Sequence, residues 1–339
     1  MSDQALQELE SVFPNLKRDE LLAQHTYIKI GGPAKFFLSA QSSDELIRAV
    51  EIAESSNIKW CVFGSGSNVL ISDEGFDGLI IQSADRSFSV QGTKVTAASG
   101  ALTSLVANSA AKAGLQGFEW ATTLPGTIGG AVYGNAGCFG GEMKDVVTSV
   151  EIYDLKNKER VTLSNCHFDR SGEIFKKDTS LKDCKFGYRD SIFKYEPLLI
   201  LKVELELKAG EAETSLAKVK EIMETRRAAQ PKGVLTAGCM FKNFKFEDES
   251  ELEKLKREFE VPQSMLDNKI IYAGWLIDKL GLKGKTIGKA QISPEHGNFM
   301  VNLGGARAQN VIALTSLVKM KVRDELGIML SDEVQYLGF

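Results

Sequence analysis

The chain has 339 residues, 43% of them hydrophobic and 25% charged, an ordinary globular composition with length enough for two or three packed units. A formal net charge of -4 at pH 7 and the lack of a dominant Lys/Arg block argue against a nucleic-acid partner, because a surface that tracks phosphates needs a basic face. "MSDQALQELESVFPNL" lacks the basic-then-apolar pattern of a secretory leader, and no apolar run reaches the roughly eighteen residues of a membrane span, so a cytoplasmic protein with no membrane partner is expected.

In chain order, "KFFLSA" (35–40) reads as a strand, and "SSDELIRAVEIAESSN" (42–57) as a helix opened by a capping box from Ser42 to Glu45. "KWCVF" (59–63) is a second strand, and the glycine loop "GSGSN" (64–68) follows it at once. Strand candidates "GLIIQ" and "KVTAAS" lead to a helix of small residues, "LTSLVANSAAKAG", stopped by Gly114. From Leu124 to Gly141 there are seven glycines in eighteen positions, which leaves no room for a long regular element and marks a loop system. "VVTSVEIYDL", "ERVTL" and "LLILKVELEL" alternate apolar and polar residues as strands of a half-buried antiparallel sheet do. An amphipathic helix, "ETSLAKVKEIMETRRAA", ends before Pro231, and "TAGCMFKN" (236–243) comes next. A charged helix at about 248–259, "YAGWLIDKLGL", strands around "GKAQIS" and "NFMVN", and a long helix closed by Gly327 complete an α+β chain of at least two lobes.

Cys61, Cys138, Cys166, Cys184 and Cys239 are too scattered for a disulfide scaffold, and free thiols are expected. No C-x-x-C or H-x-x-x-H occurs, and His25, His167 and His296 lie far apart, so no metal is expected. Gly64 and Gly66 follow a strand, but a dinucleotide fingerprint would need a third glycine where Val69 stands and a helix where "ISDEGFDG" stands. "LKGKT" fails as a phosphate loop because Lys279 occupies the place of its first glycine. What survives is a nucleotide site built from two glycine loops, 64–68 and 126–137, whose backbone N–H groups can cup a pyrophosphate.

Taken together, "HTYIKIGGPAKFF", "FGSGSNVLI", "TTLPGTIGGAVYGNAGCFGGE", "FGYRDSIFK", "AGCMFKN", "AGWLIDKLGLKG", "IGKAQIS", "HGNFMVN" and "GIMLSDEV" resemble the UDP-N-acetylenolpyruvoylglucosamine reductase family, in order from about residue 25 to the C-terminus. The resemblance implies non-covalent FAD in a vanillyl-alcohol-oxidase-like fold, NADPH as electron donor, and reduction of a UDP-sugar enolpyruvyl ether to UDP-N-acetylmuramate for peptidoglycan. It implies a flavin subdomain at 1–85, a second at 86–212 and a substrate lobe at 213–339, in a monomer. It places flavin at Gly64, Ser65, Gly66, Ser67 and Asn68, and at Pro125, Gly126, Thr127, Gly129, Gly130, Asn135 and Gly137. Substrate falls to Tyr188, Lys242, Asn243 and His296.

Catalysis falls to Arg189 and Glu333, facing the enolate that forms when hydride reaches the terminal carbon, and to Cys239, which supplies a proton to the adjacent carbon. The family more often has serine at the place of Cys239, and three glycines where this chain has Gly64, Ser65 and Gly66. The stretch 244–270 is longer than the family's pattern, which suggests an extra helix in the substrate lobe. Between Arg189 and Pro231 one strand and one helix take nearly every residue, so the chain looks like the shorter variety, without a tyrosine-bearing loop. Two other readings stand beside this one: an FAD-dependent oxidase or dehydrogenase acting on another alcohol or sugar acid, and a non-catalytic flavin or nucleotide-binding module.

Overall fold

A computed structural model describes residues 3–164, 183–231 and 233–339; Cys166 and His167 lie outside them. The chain divides into two compact units, the first of Met1–Arg18, Phe36–Ser65 and Gly78–Arg226, the second of Asp19–Lys35, Gly66–Asp77 and Arg227–Phe339.

The expected strand-helix-strand stretch forms Pro33–Ala40, the helix Ser43–Ser55 and Trp60–Phe63, and from Phe36 on it belongs to the first unit. Trp60–Phe63 pairs in parallel with Phe76–Ser83, in register Trp60 to Leu79. Ser42 caps the helix by accepting from the Glu45 N–H at 3.1 Å, while the Glu45 carboxylate reaches back to the Gln41 N–H, one residue earlier than a reciprocal capping box requires. Leu46, Ala49, Val50 and Ala53 recur at helical spacing and are buried, with Leu38, Leu79 and Ile81, in one apolar core. Each of its larger aliphatic side chains contributes about 1.5–3 kcal/mol of burial before entropy is charged against it.

The first unit also holds a five-stranded antiparallel sheet, in the order Glu159–Ser164, Val147–Asp154, Leu198–Glu206, Lys94–Ala98, Phe88–Gln91. The predicted alternation holds. Leu201, Val203 and Leu205 are buried while Lys202 between them is exposed, and Val203 sits opposite both Val150 and Ala97. Val106, Ala107 and Ala110 of the helix Thr103–Lys112 join Val95, Val150 and Val203 in this core. The helix stops where expected, with Gly114 at φ 76°. Cys184 corrects the expectation of free thiols: it is disulfide-bonded, whereas Cys61, Cys138 and Cys239 form no disulfide.

In the second unit, a four-stranded sheet has the order Leu235–Cys239, Phe299–Asn302, Ala290–Ile292, Thr286–Ile287. Val311, Leu314, Val318 and Val322 of the long helix Ala308–Leu326 are buried in one core with Ala290, Ile292 and Met300 of that sheet, and Gly327 ends the helix at φ 74°. The long stretch after residue 244 folds as a 3-10 turn at Glu249–Leu252 and short helices at Glu253–Glu258 and Gln263–Asp267. Leu252, Leu255 and Met265 bury it in the same core, so it is a packed addition.

Candidate active site

In the first unit, Gly64, which opens the short glycine loop, lies against Thr127 of the long one. A side chain at Gly64 would come within 2.3 Å of Thr127 Oγ1, and one at Gly129 within 2.8 Å of Ser99 Cβ, so backbone approaches where other residues keep distance. The long loop is not wholly irregular. Residues Ile128–Tyr133 make a short helix, whose N-cap Thr127 accepts from the Gly130 N–H at 3.3 Å. Gly126 stands before it at φ 123°. Among the described residues, Ser65 Oγ and Thr103 Oγ1 are buried without a hydrogen-bond partner, and both belong to this unit. Pro125 is half-buried and Gly137 buried on the same loop.

Asn135 is fully buried and its amide is engaged within the unit. Its Nδ2 donates to Glu142 Oε2 at 2.8 Å and to the Gly187 carbonyl at 2.7 Å, and its Oδ1 accepts from the Lys144 N–H at 3.0 Å. It thereby ties the glycine loop to the turn that carries Arg189. Gly187 and Asp190 exchange N–H bonds at 3.0 and 3.2 Å across that turn, and Arg189 sits within it at φ 54°. A left-handed arginine costs about 1–3 kcal/mol and persists where its surroundings over-determine it. The Arg189 guanidinium donates to the Gly137 carbonyl at 2.6 Å and lies 5.3 Å from the Tyr188 ring, a cation–π distance. Burial raises the nearby Cys138 thiol above its ordinary range, and the positive charges of Arg226 and Arg189 partly oppose this.

The second unit brings Cys239 and Glu333 onto neighbouring strands of chain. Leu235–Cys239 pairs with Phe299–Asn302, with a bulge between Thr236 and Cys239 that holds Gly238 at φ 85°. Cys239 is half-buried at the end of that strand. The Glu333 N–H donates to the Met240 carbonyl at 2.9 Å, the Lys242 N–H donates to the Ser331 carbonyl at 2.9 Å, and Phe241 bridges Asp332 between them. The second half of the short glycine loop holds the same tail. Asn68 Nδ2 donates to the Glu333 carbonyl at 3.2 Å, and Val69–Ile71 pairs in parallel with Gln335–Leu337. Gly66 must be glycine: at φ 66° any side chain would meet the His25 carbonyl at 2.2 Å.

Of the remaining candidates, Lys242, Ser67 and Asn243 are half-buried in the second unit, and Asn243 Oδ1 accepts from the Ala273 N–H at 3.2 Å. His296 packs 4.6 Å from the Phe299 ring centroid and its Nδ1 accepts from the Asn298 N–H at 3.2 Å. Burial pushes its pKa below the ordinary histidine range; a backbone hydrogen bond opposes this and the Lys283 charge adds to it.

Sequence reasoning passed over several polar groups beside these residues. Lys194 donates to the Arg189 carbonyl at 2.6 Å, Lys319 pairs with Asp332 Oδ2 at 2.5 Å next to Glu333, and Arg226 reaches Thr123 Oγ1 at 3.2 Å. Lys194 stands five residues after Arg189 in "GYRDSIFK" and was findable as its near neighbour. Lys319 looks like any surface position of a helix, so no sequence signal marked it. Among the described residues no His, Cys, Asp and Glu side chains are gathered so as to hold a metal ion, and no helix is long and apolar enough to cross a membrane.

The FAD binding domain family model matches residues 34–164, and the model described as UDP-N-acetylenolpyruvoylglucosamine reductase, C-terminal domain, matches 230–337. The chain is 33% identical to the UDP-N-acetylenolpyruvoylglucosamine reductase of Clostridioides difficile (strain 630), over 96% of this chain and 94% of that protein. It is 36% identical to the protein of that name from Caldicellulosiruptor bescii, over 95% of this chain and 90% of that one. The crystal structure of the Thermus caldophilus reductase superposes with a TM-score of 0.70 at 32% identity, covering 94% of this chain and 97% of that one. Matching along nearly its whole length, glycine loops and tail included, the chain belongs to the UDP-N-acetylenolpyruvoylglucosamine reductase family.

Proposed function

We propose that this chain reduces the enolpyruvyl ether of UDP-N-acetylglucosamine to UDP-N-acetylmuramate for peptidoglycan synthesis, using FAD and NADPH. The observation that carries the reading is the join of the Cys239 segment to the Glu333 tail through Met240 and Lys242, which puts a thiol and a carboxylate on adjacent stretches of backbone. The residues of the glycine loops fit the flavin. Gly64 and Gly129 leave no room for side chains, while Ser65 Oγ and Thr103 Oγ1 are buried hydroxyls with hydrogen-bonding capacity to spend. When bound there, FAD supplies hydride transfer from NADPH to the substrate.

The chain's own residues then have three tasks. Arg189 offers planar paired donors to the carboxylate on which charge collects as the enolate forms, and its hydrogen bond to Gly137 orients it beforehand. Glu333 supports the same oxygens as an acid. Cys239 gives its proton to the carbon next to the carboxylate, a role that needs neither a leaving group nor a base partner. Tyr188, Lys242, Asn243 and His296 hold the sugar nucleotide. The flavin subdomains at 1–85 and 86–212, the substrate lobe at 213–339, a cytoplasmic setting and a monomeric state without nucleic-acid or membrane partners belong to the same reading.

The test is anaerobic. NADPH is added to the purified protein until the flavin bleaches, and the enolpyruvyl sugar nucleotide is then added. Return of the flavin absorbance with stoichiometric formation of UDP-N-acetylmuramate is expected. A flavin that reoxidises with oxygen but not with this substrate would favour an oxidase, and one that NADPH never bleaches would favour a binding module.

A further inference from the structure

Lys194 lies in the first unit, on the turn Ile192–Lys194 that follows the Arg189 segment, and it has no part in the chemistry described above. Its Nζ donates to the Arg189 carbonyl at 2.6 Å and stands 3.7 Å from Asp190 Oδ1, with the side chain only 16% exposed. Asp190 is itself fixed by the Tyr195 hydroxyl, which lies 3.1 and 2.9 Å from its two carboxylate oxygens. The Tyr133 ring lies 6.0 Å from the ammonium, and Ser191 Oγ donates to the Tyr133 carbonyl at 2.7 Å, so the lysine is held from the side of the glycine loop as well. We infer that Lys194 is a positioning residue for Arg189: it pins the peptide carbonyl of a residue held at φ 54° and so fixes the direction in which the guanidinium is presented.

The physical argument is that a left-handed arginine returns to the ordinary backbone region unless something holds it. The exchange of bonds between Gly187 and Asp190 closes the turn, but it leaves the Arg189 carbonyl to be oriented by another donor. A charged donor in a largely buried setting is the stronger kind of hydrogen bond for that work. Neutralising the lysine while keeping its length therefore loosens the turn, and the guanidinium loses its fixed aim before the flavin site is touched.

This inference rests on the assignment of Arg189 to the enolate, and the experiment separates the two. In Lys194→Met, FAD content and the rate of flavin reduction by NADPH stay within about twofold of the parent, while reoxidation by the enolpyruvyl substrate falls roughly ten- to a hundredfold. Lys194→Arg restores most of that loss. In an Arg189→Lys background the same Lys194→Met change costs less than about threefold, because the two residues act as a unit. Equal losses in both half-reactions, full additivity with Arg189→Lys, or parent-like reoxidation in Lys194→Met would each overturn the inference. Should the methionine variant fail to retain FAD, Lys194→Gln decides by the same criteria. If Arg189→Lys alone leaves reoxidation unchanged, the functional assignment of Arg189 fails first; if it slows reoxidation and Lys194→Met does not, only the positioning role fails.

Discussion

Cys61, Cys138 and Cys239 each keep a thiol outside any disulfide and differ in what surrounds it. Burial pushes the Cys61 thiol up to about 11 and raises that of Cys138, which disfavours the thiolate at both. Cys239 instead ends a bulged strand, half-buried, one residue before the carbonyl that receives the Glu333 N–H. Cys239→Ser is expected to retain substantial turnover, since a hydroxyl keeps the transferable proton. Cys239→Ala should let NADPH bleach the flavin at the parent rate and slow its reoxidation by substrate by roughly a hundredfold or more. Arg189→Lys and Glu333→Gln should share that signature, because the enolate exists only in the second half-reaction. Stopped-flow absorbance of the two half-reactions checks the set. An alanine variant that reoxidises as fast as the parent would return Cys239 to a packing role.

At the scale of elements, Asn302 joins two parts of the second unit that are distant in sequence. It closes the strand Phe299–Asn302, is only 7% exposed, and donates from Nδ2 to the Ile28 carbonyl at 2.9 Å. Its Oδ1 accepts from the Gly304 N–H at 2.8 Å and the Ala306 N–H at 2.9 Å, shaping the turn that enters the long helix. Replacing it by alanine leaves a buried carbonyl and two N–H groups to find new partners, each at a cost of about 1–3 kcal/mol where none is found. Asn302→Ala is therefore expected to destabilise the protein by about 2–4 kcal/mol, read as a lower urea midpoint with an unchanged slope. A change below about 0.5 kcal/mol would mean that water replaces the side chain at this join.

For the whole molecule, the expectation is a yellow protein with about one FAD per chain that acid or heat releases intact. The glycine loops offer backbone and hydroxyl groups, and no cysteine or histidine belongs to either loop's set of flavin candidates; Cys138, the residue after the long loop, has its Sγ 3.2 Å from the Trp120 carbonyl. Acid precipitation followed by absorbance of the supernatant checks this, and flavin left on the precipitated chain would contradict it. Because FAD binds the folded state, its removal should also lower the melting temperature, and added FAD should restore it in proportion to the logarithm of its concentration.

Much of the local structure is legible in the sequence. The alternation in "LLILKVELEL", the N-cap at Ser42 and the stops at Gly114 and Gly327 rest on neighbouring residues alone, and the structure places a strand, a cap and two helix ends there. The failed dinucleotide fingerprint was legible for the same reason, since Val69 opens a strand and not a helix. Family membership was readable too, because many short motifs in fixed order carry more information than any single one. Tertiary structure decided what depends on residues far apart in the chain. Asn68 and Glu333, 265 positions apart, share a hydrogen bond that no periodicity encodes, and Asn135 reaches Gly187 across 52. The glycine at 66 could be read as a turn residue, but only the approach of the His25 carbonyl explains why no side chain fits there. Local propensity is written in neighbours, whereas the aim of Arg189 and the pairing of Cys239 with the Glu333 tail arise from hydrogen bonds that exist only once the chain has folded.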